Sequence, residues 1–209
     1  MEPQRHVVVF DVNVYLDIAR LLGPPFSWAR LASAAAMHSR SPVPHPSDPL
    51  VDSLRAVAAC QSGLLAGDDP LEVWTSAHID RIVRAKAQQP IRQNSDTGLG
   101  WSAGDARALV PDLIYRIVRD SSGGTLGDVF PNGNPPLDHE DGMVYGACRR
   151  ISGDDPVAIV ICVTRDQQFL DYYRAGRLDG HTRVVTPVQF VGFVRRSRFA
   201  DSTRSMRPR

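Results

Sequence analysis

Two unbroken apolar runs constrain this chain more than anything else in it. Val7-Val8-Val9-Phe10 stops at Asp11, and Ala158-Ile159-Val160-Ile161-Cys162-Val163 stops at Thr164-Arg165-Asp166. Both are rich in β-branched residues and neither alternates with polar ones, which is the pattern of strands buried on both faces in a parallel sheet. Parallel neighbours cannot be joined by a tight turn, so each pair needs a crossover, normally a helix that also covers the sheet.

The remaining sequence supplies those crossovers. Apolar periodicity predicts helices over residues 13–22, closed by Gly23-Pro24-Pro25, and over 27–37, 50–65, 140–151 and 167–175. Residues 102–120 also read as helix, with Pro111 expected to kink or divide it. Shorter strands are predicted at 71–75, leading into Ser76 as a helix N-cap, and at 183–186, followed by a helix opened by Pro187. The loops expected between these elements are a Pro/Ser-rich stretch at 38–49, a polar one at 88–100 and a Gly/Pro/Asn connector at 121–136. Repeated strand-then-helix units predict an α/β fold, a three-layer α/β/α sandwich around a central, mainly parallel sheet, in a single domain with helical insertions.

Charge narrows the function less than its placement does. Among 209 residues, 24 basic and 23 acidic side chains nearly cancel, so bulk charge favours neither a nucleic acid nor a membrane. Residues 195–209 nevertheless hold six arginines against Asp201, about +5, leaving about −4 for the rest. We therefore expect a body at 1–194 and a basic, flexible tail at 195–209 that is able to neutralise phosphates. Lys86 is the only lysine. Cys60, Cys148 and Cys162 are odd in number and form no C-x-x-C pair, which argues against a disulfide framework or a zinc site and fits a reducing cytoplasm. The apolar runs are too short to span a bilayer and residues 1–6 carry no apolar signal core, so no membrane or secretory role is expected.

Ligand sites of open α/β sheets form outside the carboxyl ends of the strands, where Asp11 and Asp166 both fall. Asp141 opens the helix that precedes the second apolar run and joins them if that helix packs on the same sheet. Three carboxylates held together repel one another unless a divalent cation neutralises them, and Mg²⁺ prefers such hard oxygen donors. A cation there, with a phosphodiester bound, supports metal-assisted hydrolysis.

The segment from Val7 through Asp11-Val12-Asn13-Val14-Tyr15-Leu16 resembles the opening strand and D-x-N helix start of PIN domains. Asp138-His139-Glu140-Asp141-Gly142-Met143-Val144-Tyr145-Gly146-Ala147 resembles the acidic segment before that family's Ala-rich helix. Val163-Thr164-Arg165-Asp166-Gln167-Gln168-Phe169-Leu170 resembles its strand ending T-x-D-x-x-F/L, and Arg183-Val184-Val185-Thr186-Pro187-Val188-Gln189-Phe190 its last strand and helix. The resemblance implies that Asp11, Asp141 and Asp166 bind metal, with Asn13 and Thr164 orienting a carboxylate, a water or the scissile phosphate. It implies a further acid after the second strand, for which Asp80 is the candidate and Glu72, Asp138 or Glu140 the substitutes. It also implies a Mg²⁺- or Mn²⁺-dependent endoribonuclease acting on RNA in the cytoplasm. In the VapC-type toxins of type II toxin–antitoxin pairs such a domain is held by a small antitoxin and is often a homodimer. Residues 24–70 and 88–136 carry no motif of the family.

Two other readings share these features. A haloacid-dehalogenase-like phosphatase also opens with an aspartate after a buried strand and has a Thr or Ser ending a later strand. Its second motif acid would fall at Asn13, however, and it needs a lysine beyond the strand-end Thr, whereas Lys86 precedes Thr164. A PIN-like module that binds RNA or protein without cutting retains the same fold.

Overall fold

The computed structural model describes residues 3–39, 48–91, 98–133, 135–178 and 181–205. The centres of the loops expected at 38–49 and 88–100, and residues 206–209 of the expected tail, lie outside these. Strand β1 (His6–Phe10) is buried along its whole length, as its apolar run requires. It lies between β2 (Leu71–Ser76) and β4 (Ile159–Val163), with β3 (Thr125–Leu126) beyond β2 and β5 (Thr182–Val185) beyond β4. The order β3-β2-β1-β4-β5 is parallel throughout. Helices cover both faces, giving the three-layer α/β/α sandwich that the strand-then-helix repeat predicts.

Helix α1 (Val12–Leu22) starts directly after β1. Next come α2 (Trp28–Ser39) and α3 (Pro49–Ala59), and α3 packs against both α1 and α9 (Pro187–Ser205). Helix α3 stops well before the expected residue 65. Its chain must reverse into β2, and it does so through turns at Gly63 and Gly67, both at positive φ, with Leu71 N donating to Gly63 O at 2.8 Å. Helix α4 (Ala77–Gln88) is capped by Ser76 as expected, and α5 (Ala103–Leu109) by Ser102. Pro111 divides the predicted helix, as expected. Val110–Tyr115, with Pro111 in its first turn, forms a π-helical segment between α5 and α6 (Arg116–Asp120). Helices α7 (His139–Asp154) and α8 (Gln167–Arg174) flank β4 in sequence. All three cysteines are buried and free, and among the described residues no helix is long and apolar enough to cross a membrane.

The expected break at 194/195 is absent. Residues 195–205 continue α9, because Arg198 is tied down by the chain reversal after α3: its guanidinium donates to the carbonyls of Ala59, Leu64 and Leu65 and to Ser62 Oγ. Asp201 in turn accepts from Gly67 N at 2.9 Å. A cation on carbonyls at and just beyond a helix end is a favourable cap, and it commits one of the six arginines to the fold.

Candidate metal and phosphate site

After β1 the chain moves to β2 and β3 on one side and then returns to β4 on the other, so the sheet's switch point lies between the carboxyl ends of β1 and β4. A pocket of about 290 Å³ opens there. Asp11, Asp141 and Asp166, far apart in sequence, all line it, together with Asn13. Each has a local reason to be where it is. Asp11 N-caps α1, Asp166 N-caps α8 through a 2.8 Å bond from Phe169 N, and Asp138 N-caps α7 through a 2.8 Å bond from Asp141 N. Three helix N-termini therefore face one pocket, and their partial positive charge offsets the crowded carboxylates.

Asn13 and Thr164 lock the floor. Asp11 is 3 % exposed and accepts from Val12 N at 2.6 Å, Asn13 Nδ2 at 2.5 Å and Thr164 Oγ1 at 2.6 Å. Thr164 Oγ1 accepts in turn from Asp166 N at 2.9 Å, and Asn13 Oδ1 accepts from Arg165 N at 3.1 Å. The ends of β1 and β4 are thus joined by one polar network that holds Asp11 rigidly. Burial pushes the Asp11 carboxyl up to about 6, against the hydrogen bonds from Thr164 and Val12. Asp141 differs: among the described residues no donor reaches its carboxylate. Burial, and then repulsion from Asp11, Asp166, Asp138 and Glu140, pushes it up to about 8.

Asp80 is not brought to this pocket. It lines a separate opening with Arg81, Arg84, Arg107 and Tyr115, and accepts from Thr75 Oγ1 at 2.9 Å and from the Tyr115 hydroxyl. At 100° per residue, Lys86 leaves α4 on the side opposite Asp80, Arg81 and Arg84, and Lys86 is the residue that α4 presents to the acid pocket. Of the candidate substitutes, Glu72 is taken by Arg5 at 2.7 Å and Trp74 at 2.8 Å, whereas Asp138 and Glu140 do line the acid pocket.

Lys86 pairs with Glu140. Its position before Thr164 in the sequence is therefore no argument against a phosphatase, because α4 packs beside α1 and α7 and carries the lysine into the site. Three further lining residues escaped the sequence reading: Asp17, Arg20 and Arg165. The available signal was a polar stripe, Asn13, Asp17 and Arg20, at i, i+4 and i+7 on an otherwise buried helix.

In kind, the donors suit a hard divalent cation, since they are carboxylate oxygens without sulfur or imidazole. Among the described residues no group of three or more His, Cys, Asp or Glu side chains stands close enough together to hold a metal ion by itself. Mg²⁺ and its like are usually bound through one or two carboxylates, keeping waters and substrate oxygens for the rest of the shell, and Asp141 and Asp166 fit that role. Comparison with family models, curated proteins and solved structures finds no match to this chain.

Proposed function

We propose that this chain is a Mg²⁺- or Mn²⁺-dependent endoribonuclease of the PIN type, acting on RNA in the cytoplasm. The supporting observation is Asp141: a half-buried carboxylate without a donor among the described residues, beside other carboxylates at the switch point of a parallel sheet. Such a group either holds its proton at neutral pH or takes a cation. Asp11, Asp141 and Asp166 are the proposed metal-binding acids. When bound, the ion supplies an activated water and charge stabilisation at the phosphoryl group. Asn13 and Thr164 hold Asp11 in one orientation, so the floor needs no rearrangement when substrate arrives. The toxin role, with a small antitoxin and a homodimer, is the biological setting that the sequence resemblance suggests.

The test is cleavage of a labelled single-stranded RNA with Mg²⁺ or Mn²⁺, with chelator, and with Asp11→Asn and Asp141→Asn. Each substitution is expected to lower the rate at least ~100-fold, and chelation to stop it. Cutting that persists in chelator sinks the metal mechanism, and tight RNA binding with no cutting under any condition favours the non-cutting module.

One observation favours the phosphatase reading as well: Lys86 does reach the pocket. Against it, Asn13 stands where a second acid is needed, and both oxygens of Asp11 accept hydrogen bonds, leaving a poor nucleophile. Hydrolysis of p-nitrophenyl phosphate without RNA cleavage would reverse the choice.

A further inference from the structure

We infer that Arg165 binds the substrate phosphate in this pocket, and that Asp17, backed by Ser53, is the positioning residue that aims it; the inference rests on the ribonuclease reading and specifies how that site holds its substrate. Asp17 is 3 % exposed and spends both carboxylate oxygens: Oδ2 accepts from Ser53 Oγ at 2.6 Å and Oδ1 from Arg165 Nη1 at 2.5 Å. Ser53 is fully buried. The three residues come from α1, α3 and the loop after β4, so the triad exists only in the folded chain.

Burying a carboxylate to pair it with an arginine is a poor route to stability, since apolar residues of the same volume generally serve as well. What the arrangement achieves is orientation. The Arg165 backbone N–H is held by Asn13 and its Nη1 by Asp17, so both ends of the side chain are fixed. Among the described residues its Nε and Nη2 have no acceptor, and the side chain lines the acid pocket. A guanidinium fixed in this way presents paired donors that match two phosphate oxygens.

The pocket also requires such a group. Its lining is acid-rich and its cations are Arg20, Lys86 and Arg165, of which the lysine is already engaged by Glu140 and only Arg165 lies among the strand-end residues Thr164 and Asp166. A phosphodiester entering it needs a cationic partner other than the metal, and Arg165 stands between Thr164 and Asp166. The same reasoning gives part of the motif-free stretch 24–70 a purpose: through Ser53, α3 supports the residue that supports Arg165.

The experiment compares the wild type with Arg165→Gln, Arg165→Lys and Asp17→Asn. Binding of a fluorescein-labelled single-stranded RNA 12-mer is followed by anisotropy across a salt series, with Ca²⁺ in place of Mn²⁺ and a gel check that the RNA stays intact. Steady-state cleavage is measured separately with Mn²⁺. Arg165→Gln is expected to weaken binding about tenfold and to flatten the log–log salt slope by about 0.7, the loss of one phosphate contact on a single strand. Arg165→Lys is expected to keep the slope but lose about tenfold in kcat, because a point charge replaces the fork. Asp17→Asn is expected to leave the slope unchanged and to lower kcat/KM severalfold. In all three the Mn²⁺-induced rise in Tm is expected to persist. Arg165→Gln matching the wild type in affinity and slope overturns the inference and leaves the ribonuclease reading standing. A variant that loses the Mn²⁺ response together with binding overturns it too, since Arg165 would then be structural. A wild type that neither binds nor cuts RNA overturns both.

Discussion

Two aspartates, half-buried Asp141 and buried Asp80, line separate openings beside α4, and their surroundings could hardly differ more. Asp80 is 8 % exposed, accepts from two hydroxyls, and lines its opening together with Arg81, Arg84 and Arg107. Its carboxyl is raised by burial alone, with both hydrogen bonds opposing the rise. Asp141 has no donor among the described residues, and four other carboxylates add to the effect of its burial. A buried acid with neutral donors is already satisfied by the protein, whereas one crowded by like charges is satisfied only by a proton or a cation. In the proposed site it is therefore the company of the carboxylate, not burial by itself, that sets Asp141 apart from Asp80.

The sharpest way to break this contrast is through activity. Asp11→Asn or Asp141→Asn is expected to lower RNA cleavage at least ~100-fold, while Asp80→Asn stays within about threefold of wild type, since its opening holds no other acid of the proposed site. Initial rates with Mn²⁺ at a fixed RNA concentration decide the matter. Equal losses at Asp80 and Asp141 would mean that the two openings act as one site.

The next effect is on stability against pH. The folded chain holds protons on Asp11 up to about 6 and on Asp141 up to about 8, whereas the unfolded chain releases them near 3.8. Where the folded state binds more protons, stability falls as pH rises, so without cation these two carboxyls lose the protein stability between about pH 4 and 8. For wholly buried Asp11 alone this loss is worth roughly 3 kcal/mol. Asp17 and Asp80 are raised in the same direction. Glu72 and Asp155 are held low by Arg5 and act mainly below this window, whereas burial holds the His6 and His78 imidazoles below their ordinary value and opposes the trend at its acid end, where the two carboxyls outweigh it. In EDTA the Tm is therefore expected to be lower at pH 8 than at pH 5, with Mn²⁺ restoring it at pH 8 and doing little at pH 5. Asp141→Asn is expected to abolish the Mn²⁺ response, and Asp80→Asn to preserve it. A Tm in EDTA that rises from pH 5 to pH 8 contradicts this account.

The sequence carries the frame of the site better than its walls. Strands β1 and β4 are legible because burial on both faces demands an unbroken apolar run, and Asp11 and Asp166 are legible because they end those runs. β3 is not legible. Thr125 and Leu126 pair with Thr75 and Ser76 only because Gly123 and Gly124 let the chain close on β2, where a Cβ at Gly123 would meet Val73 O at 1.8 Å. The basic stretch 195–205 reads as tail because its helix is fixed by one arginine on distant carbonyls and not by an apolar stripe. Asp80 misleads for a related reason: its spacing after β2 is visible, but the rotation of α4 about its axis is set by packing against α1 and α7. Arg165 shows the opposite fault, since it lies inside a recognised motif and its role depends on Asp17 and Ser53, which pattern alone does not connect to it.

The smallest expected effect tests whether Asp80 is a fixture of the fold. Thr75 is 1 % exposed, and its hydroxyl donates to Asp80, so Asp80→Ala leaves a buried hydroxyl without its partner and is expected to cost about 1–3 kcal/mol. Tyr115→Phe removes the second donor from a more exposed position, at the end of the π-helical segment, and is expected to cost about 1 kcal/mol. Because both substitutions break one shared bond, the double variant is expected to be less destabilised than the sum of the single ones. Urea melts of the three variants in EDTA measure this directly. Strict additivity would mean that Tyr115 does not hold Asp80, and the protein's own donors would then no longer explain why this carboxylate stays away from the acid pocket.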